Sequence, residues 1–180
     1  MNRRQIKYLY LIGLIMLSAS LEFSMPLPNH LLNKMNKSAI KLWGKEVSFT
    51  QEISIDHMNP DHHVFEANLG GSAIGYAIIS RALGCKIGGC SPKNSEEFNF
   101  EDFYYLTLVN RNHKIIQVKV LEYTSDHGYE IANKGWLKQF QQGNYFKVGQ
   151  NIDAISGATI SVNSITQGVN SQLEIINQLP

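Results

Sequence analysis

The sequence predicts an α+β fold: a largely antiparallel sheet of about five strands, with an N-terminal helix and a C-terminal helix that follows a turn of small residues. Two strand-like pairs, joined by the short turns Leu69-Gly70-Gly71 and "NRNH" (110–113), make the sheet antiparallel. Apolar residues recur every three or four positions both near residue 29 and at the end of the chain, which makes the flanking elements helices. The resulting order is helix, five strands, short helix, loop, helix.

Each element has its own signal. In "NHLLNKMNKSAIKLWG", Leu31, Leu32, Met35, Ala39 and Leu42 fall at near-helical spacing, and Gly44 suits a C-terminal cap. "KEVSFTQEISI" alternates imperfectly at Val47, Phe49, Glu52 and Ile53 and reads as a strand. "HHVFEAN" and "AIGYAIIS" form a hairpin around the glycine turn, and a loop holding Cys85, Cys90 and Pro92 is expected next. "FYYLTLV" and "KIIQVKVLEY" make the clearest hairpin. Strict alternation puts Ile116, Val118 and Val120 on one face, and Ile115, Gln117, Lys119 and Leu121 on the other. "NKGWLKQFQQ" is a short helix clustering Trp136, Leu137 and Phe140. Val162, Ile165, Val169, Leu173 and Ile176 mark an amphipathic last helix, with Gly168 as an internal cost.

The chain has 180 residues, enough for one domain with a real core. A hydrophobic share of 43% and a charged share of 17% exclude a disordered chain. A net charge of +1 gives no argument for nucleic-acid binding. Arg3, Arg4 and Lys7 precede the apolar run "YLYLIGLIMLSAS", and Ser18-Ala19-Ser20 offers small residues for cleavage. Residues 1–20 therefore read as a signal peptide or an uncleaved N-terminal anchor, and residues 29–180 as one domain placed outside the cytoplasm, in the periplasm or on the outer face of the membrane. No internal repeat or linker divides that domain.

"DAISGATIS" (153–161) leads directly into the last helix. In one reading Thr159 or Ser161 is simply its N-cap, Ser161 above all. The same geometry also suits a phosphate. Helix N-termini present unpaired N–H groups and a positive dipole end, and Gly157 and Ala158 allow close backbone approach. Neither a dinucleotide fingerprint nor a Walker A loop is present.

Asp153, Ser156, Gly157, Ala158 and Thr159 together resemble the flavinylation signature Asp-x-x-Ser/Thr-Gly-Ala-Thr/Ser of the FMN-binding domain family. That family includes the extracytoplasmic flavin subunits of sodium-pumping NADH:quinone reductases and of Rnf complexes. The resemblance runs from about Phe103 to Val169. It implies covalent FMN, joined through its phosphate to Thr159 by a flavin transferase. It also implies that Gly128, in "EYTSDHGYEI", sits in the family's glycine-containing loop, although the usual proline there is missing. Tyr129 and Trp136 are the candidate walls for the isoalloxazine. Expected partners, beyond the transferase, are membrane-bound or soluble electron-transfer proteins.

Cys85 and Cys90 are the only cysteines, with four residues between them in "GCKIGGC". They allow a structural disulfide, a redox-active pair working with the flavin, or part of a metal site. A metal would need ligands from His57, His62 or His63, whose spacing is not diagnostic; these are expected at the surface, and no metal is assigned. The reading that results is an extracytoplasmic electron-transfer flavoprotein, more a carrier than a free-standing enzyme. The alternatives are a flavin-dependent reductase of a small acceptor, and a non-redox exported module whose motif only caps a helix.

Overall fold

The computed structural model describes residues 27–50, 52–55, 58–59, 61–86, 100–125, 127–141 and 143–180. Residues 1–20, with the expected leader or anchor, lie outside the described residues, as do His57 and Cys90. Helix α1 (Asn29–Trp43) is followed by strands β1 (Ser48–Phe49), β2 (His62–Leu69), β3 (Ser72–Lys86), β4 (Phe100–Asn110) and β5 (Ile115–Tyr123). A 3-10 turn (Tyr129–Ala132), the one-turn helix α2 (Lys134–Leu137) and a second 3-10 turn (Lys138–Gln141) lead to helix α3 (Thr159–Ile176). The strands form one antiparallel sheet in the order β1-β2-β3-β4-β5, so the predicted α+β class holds.

Side chains alternate across a strand, so the sheet has two apolar faces, each with its own helix. Ala77, Ile79, Leu106 and Leu108 pack against Leu31 and Met35 of α1. Ile78, Tyr105 and Val118 pack against Val162, Ile165 and Val169 of α3, joined by Trp136, Leu137 and Phe140. Gly70 and Gly71 take φ +58 and +79 in the β2–β3 turn, a left-handed pair that glycine adopts without steric cost. Gly44, at φ +99, ends α1 as expected.

Several expectations need correction. The first strand keeps only two residues, Ser48 and Phe49. Ile53 instead makes an isolated bridge to Val64. Strand β3 runs on to Lys86, so Cys85 stands on a strand end and not in a loop. Leu42 is largely exposed, and Ser38 takes a buried place on α1. The predicted faces of β5 invert at its start: Ile115 joins the α3 side and Ile116 the α1 side. A bulge causes this, since Leu108 pairs with Gln117 and Val109 with Ile115, leaving Ile116 unopposed.

Gly168 is a requirement where the sequence showed only a cost. A Cβ there would lie 2.3 Å from the Tyr105 hydroxyl, so glycine is what lets α3 settle onto β4. His62 and His63 are also buried, at 3% and 6% exposure, which overturns their expected surface placement. His62 Nδ1 lies 2.6 Å from Ser80 Oγ and its Nε2 lies 3.2 Å from Ser171 Oγ. Gln172 donates to Ser80 Oγ at 2.6 Å and accepts from Thr107 Oγ1 at 2.6 Å, so a buried polar chain ties three strands to α3. Burial holds the His62 imidazole below its ordinary pKa. His63 pairs with Glu52, at 2.7 Å.

The margins of the sheet are short or occupied. β1 offers only its two residues. On β5, the Ile116 carbonyl accepts from Gln141 Nε2 and the Leu121 carbonyl from Lys34 Nζ, each at 2.9 Å.

Candidate functional site

The loop 151–158 and the first turn of α3 are built from the interior outward. Trp136 is 8% exposed, stacks edge-on against Phe140, and donates its indole N–H to the Asp153 carbonyl at 2.8 Å. Gln139 accepts the Asp153 N–H at 2.8 Å. Both backbone groups of Asp153 are thus held by the short-helix segment, while its side chain remains exposed. Neither hold was readable beforehand. The sequence suggests Trp136 as part of the short helix's apolar cluster and as a flavin wall, not as a partner of Asp153, and it gives no signal for Gln139.

Beyond Asp153 the chain makes a turn in which Ala158 N–H bonds the Ile155 carbonyl at 3.1 Å. Gly157 has φ +79, and a Cβ added to it would meet nothing within 4 Å. Ala158 is wholly buried in the α3-side core, whereas Ser156, Gly157 and Thr159 are exposed. The alternation is informative. One small residue anchors the turn, and the hydroxyl-bearing residue next to it is exposed.

No side chain caps α3. Its N-cap is Ala158, and the first helical hydrogen bond runs from Val162 N–H to the Ala158 carbonyl at 2.9 Å. The N–H groups of Thr159, Ile160 and Ser161 therefore have no carbonyl within the helix to bond. This corrects the expectation that Ser161 is the cap. Ser161 stands in the first turn, wholly buried, with its Oγ 3.0 Å from the Tyr123 hydroxyl and 3.6 Å from Cys85 Sγ.

Gly128 closes the site from below. It sits at φ +82, and a Cβ there would lie 2.7 Å from Tyr123 Oη, 3.0 Å from Cys85 Sγ and 3.3 Å from Ala158 Cβ. Glycine is demanded twice, by conformation and by space. Tyr129, the next residue, is 63% exposed, one of the most exposed large apolar side chains described. Cys85 is disulfide-bonded and wholly buried. Two surface depressions, of about 500 Å³ between α1 and β1 and about 420 Å³ beside His113, are lined by none of these residues.

The structure thus brings together Asp153, Ser156, Gly157, Ala158, Thr159, Gly128, Trp136 and Cys85. These residues fit a phosphate-bearing cofactor. An exposed hydroxyl stands on the first residue of an 18-residue helix whose positive end has no side-chain partner. A phosphodiester at that hydroxyl would carry one negative charge against the helix dipole. No curated protein matches the chain. Residues 101–174 match the model of the FMN-binding domain family, a stretch that spans β4, β5, the short helices and most of α3.

Proposed function

We propose that this chain binds FMN and holds it covalently, through a phosphoester to Thr159, and works outside the cytoplasm as an electron carrier. The observation that supports attachment is the pairing of an exposed Thr159 hydroxyl with an uncapped α3 N-terminus. A hydroxyl that served as the cap would be consumed by the helix, and here none is.

The residues of the chain have separable duties in this reading. Thr159 supplies the oxygen that forms the ester, and the first-turn N–H groups face the resulting charge. Ala158 and Gly128 keep the turn seated on the core. Asp153, held at its backbone by Trp136 and Gln139, fixes where the loop enters the turn. Tyr129 presents an exposed ring beside Gly128 on which a planar cofactor can rest. When bound, FMN supplies reversible one- and two-electron chemistry that no side chain here provides. A flavin transferase would install it, and a leader or anchor at residues 1–20 would bring the domain to the compartment of its donor and acceptor proteins.

The test is co-expression with a flavin transferase, followed by denaturing electrophoresis and intact mass. Wild-type protein is expected to show a fluorescent band and an added mass equal to FMN less water. Thr159→Ala is expected to lose both. A dark wild-type band overturns covalent attachment, and a fluorescent Thr159→Ala band moves it to another residue.

A further inference from the structure

The β5 edge of the sheet carries a patch of lysines with few carboxylates to balance it. Lys119, on β5, is half-buried, and its Nζ donates to Oγ of buried Ser38 on α1 at 2.8 Å. Lys34 stands one turn before Ser38, and its Nζ donates to the Leu121 carbonyl at 2.9 Å. Lys41 lies two turns beyond Lys34 on the same side of α1, and Lys134 begins α2; both are exposed. Burial, and then the charges of Lys41, Lys134 and Lys34, hold the Lys119 pKa below its ordinary value. The patch therefore wraps the edge of the sheet, from α1 on one face to α2 on the other.

Glu122 faces the patch, but it lies 3.6 Å from Lys34 Nζ and also bonds His30 Nε2. Among the described residues, no carboxylate lies within ion-pair distance of Lys41, Lys119 or Lys134. Like charges gathered around a half-buried ammonium cost stability, and a complementary anionic surface would offset that cost. The patch also has a telling position. Strand β5 leads from Lys119 to Tyr123, whose hydroxyl is 3.0 Å from Ser161 Oγ in the first turn of α3. On α2, Lys134 stands two residues before Trp136, which holds the Asp153 carbonyl. The lysines thus border the turn that carries Thr159.

We propose that this patch docks the acidic face of an electron-transfer protein beside the FMN turn. The kind of partner rests on the carrier reading given above; the patch itself does not. Lys34 and Lys119 have their ammonium groups held by protein oxygens, which suits fixed carboxylates on a folded partner. A fluid layer of anionic headgroups makes no such demand.

The experiment mixes the full chain, flavinylated and reduced, with cytochrome b5 as an acidic probe and cytochrome c as a basic one. Flavin oxidation by cytochrome b5 is expected to slow about tenfold between about 20 and about 200 mM salt; oxidation by cytochrome c should not slow. Lys41→Glu/Lys134→Glu should lose about tenfold in rate with cytochrome b5 at low salt. Lys114→Glu/Lys147→Glu, the same change in net charge away from the patch, should lose less than about twofold. Amide NMR shifts of flavin-free protein titrated with cytochrome b5 should centre on 34–41, 119–122 and 134. A rate indifferent to salt, or equal losses in the two double variants, overturns the proposal. Binding to phosphatidylglycerol vesicles that Lys41→Glu/Lys134→Glu abolishes, with its cytochrome b5 rate unchanged, overturns it in favour of a membrane surface. Absence of the FMN mass from wild-type protein is a different failure, of the attachment. The NMR titration then decides alone, and shifts spread evenly over the surface overturn the docking.

Discussion

Both long helices of this protein begin without a side-chain cap and bury a residue of their first turn, but α3 is also entered through a loop that Trp136 and Gln139 hold. Helix α1 starts after Pro28, and its first turn is tied to the sheet by wholly buried Leu31 and by an exposed His30–Glu122 hydrogen bond. Helix α3 starts after Ala158, which is wholly buried. Buried Ser161 and Gly128 lie beneath it, and Trp136 and Gln139 grip the loop that leads in. At α1 the Leu31 N–H is bonded back to the Pro28 carbonyl, whereas at α3 the first such bond is that of Val162 to Ala158. What α3 adds is an exposed hydroxyl-bearing residue at its start, at the end of a loop held in place.

The contrast can be broken most severely at Gly128. Gly128 and Gly157 have nearly the same φ, +82 and +79, but only Gly128 has neighbours within Cβ reach. Gly157→Ala is expected to cost about 1 kcal/mol, the left-handed backbone penalty alone. Gly128→Ala should cost about 3 kcal/mol, because displacement of Tyr123 and Cys85 is added. Urea midpoints of the two variants measure the difference; equal losses would mean that the scaffold under α3 contributes nothing.

A smaller loss is expected from Gly168→Ala, about 2 kcal/mol, although alanine is the better helix former. Combining it with Tyr105→Phe removes the hydroxyl that the new methyl meets and should restore about half of that loss, read by the same unfolding curves in a double-mutant cycle. Smaller again is Trp136→Phe, which keeps an aromatic ring in the core but removes the donor to Asp153. We expect about 1 kcal/mol of lost stability, together with a lower FMN yield on the denaturing gel. Unchanged yield would mean that the position of Asp153 does not govern loading.

The smallest effect lies toward the far end of α3, at His62. Burial lowers its folded pKa below the ordinary 6.5, so the unfolded chain binds the proton more readily. Stability is therefore full above about pH 6.5 and declines as the pH falls. The loss between pH 7.5 and 6 should be no more than about 0.8 kcal/mol. His62→Gln should flatten that part of the pH profile, whatever its effect at pH 7.5.

Much of this architecture could be read in the chain, because it rests on local periodicity and turn chemistry. The hairpins around Gly70-Gly71 and Asn110–His113, the Gly44 stop and the register of Val162, Ile165 and Val169 are all local signals. The departures come from contacts between distant residues. Nothing near Ser161 announces Tyr123 or Cys85, so a hydroxyl in the first turn of a helix reads as a cap. His62 finds Ser80 and Ser171 only once the sheet and α3 are in place. The bulge at Ile116 reverses a face that strict alternation assigns with apparent clarity. The signature residues are legible for a different reason: they lie in one short turn. Their supports, Gln139 and Trp136, lie on another segment and are visible only in three dimensions.

The occupied margins of the sheet carry a last consequence. A chain that adds itself to a β-sheet needs a run of unsatisfied peptide groups, and this sheet gives it two residues on one side and carbonyls already bonded by Gln141 and Lys34 on the other. Among the described residues, these contacts leave less of each margin open to a further strand.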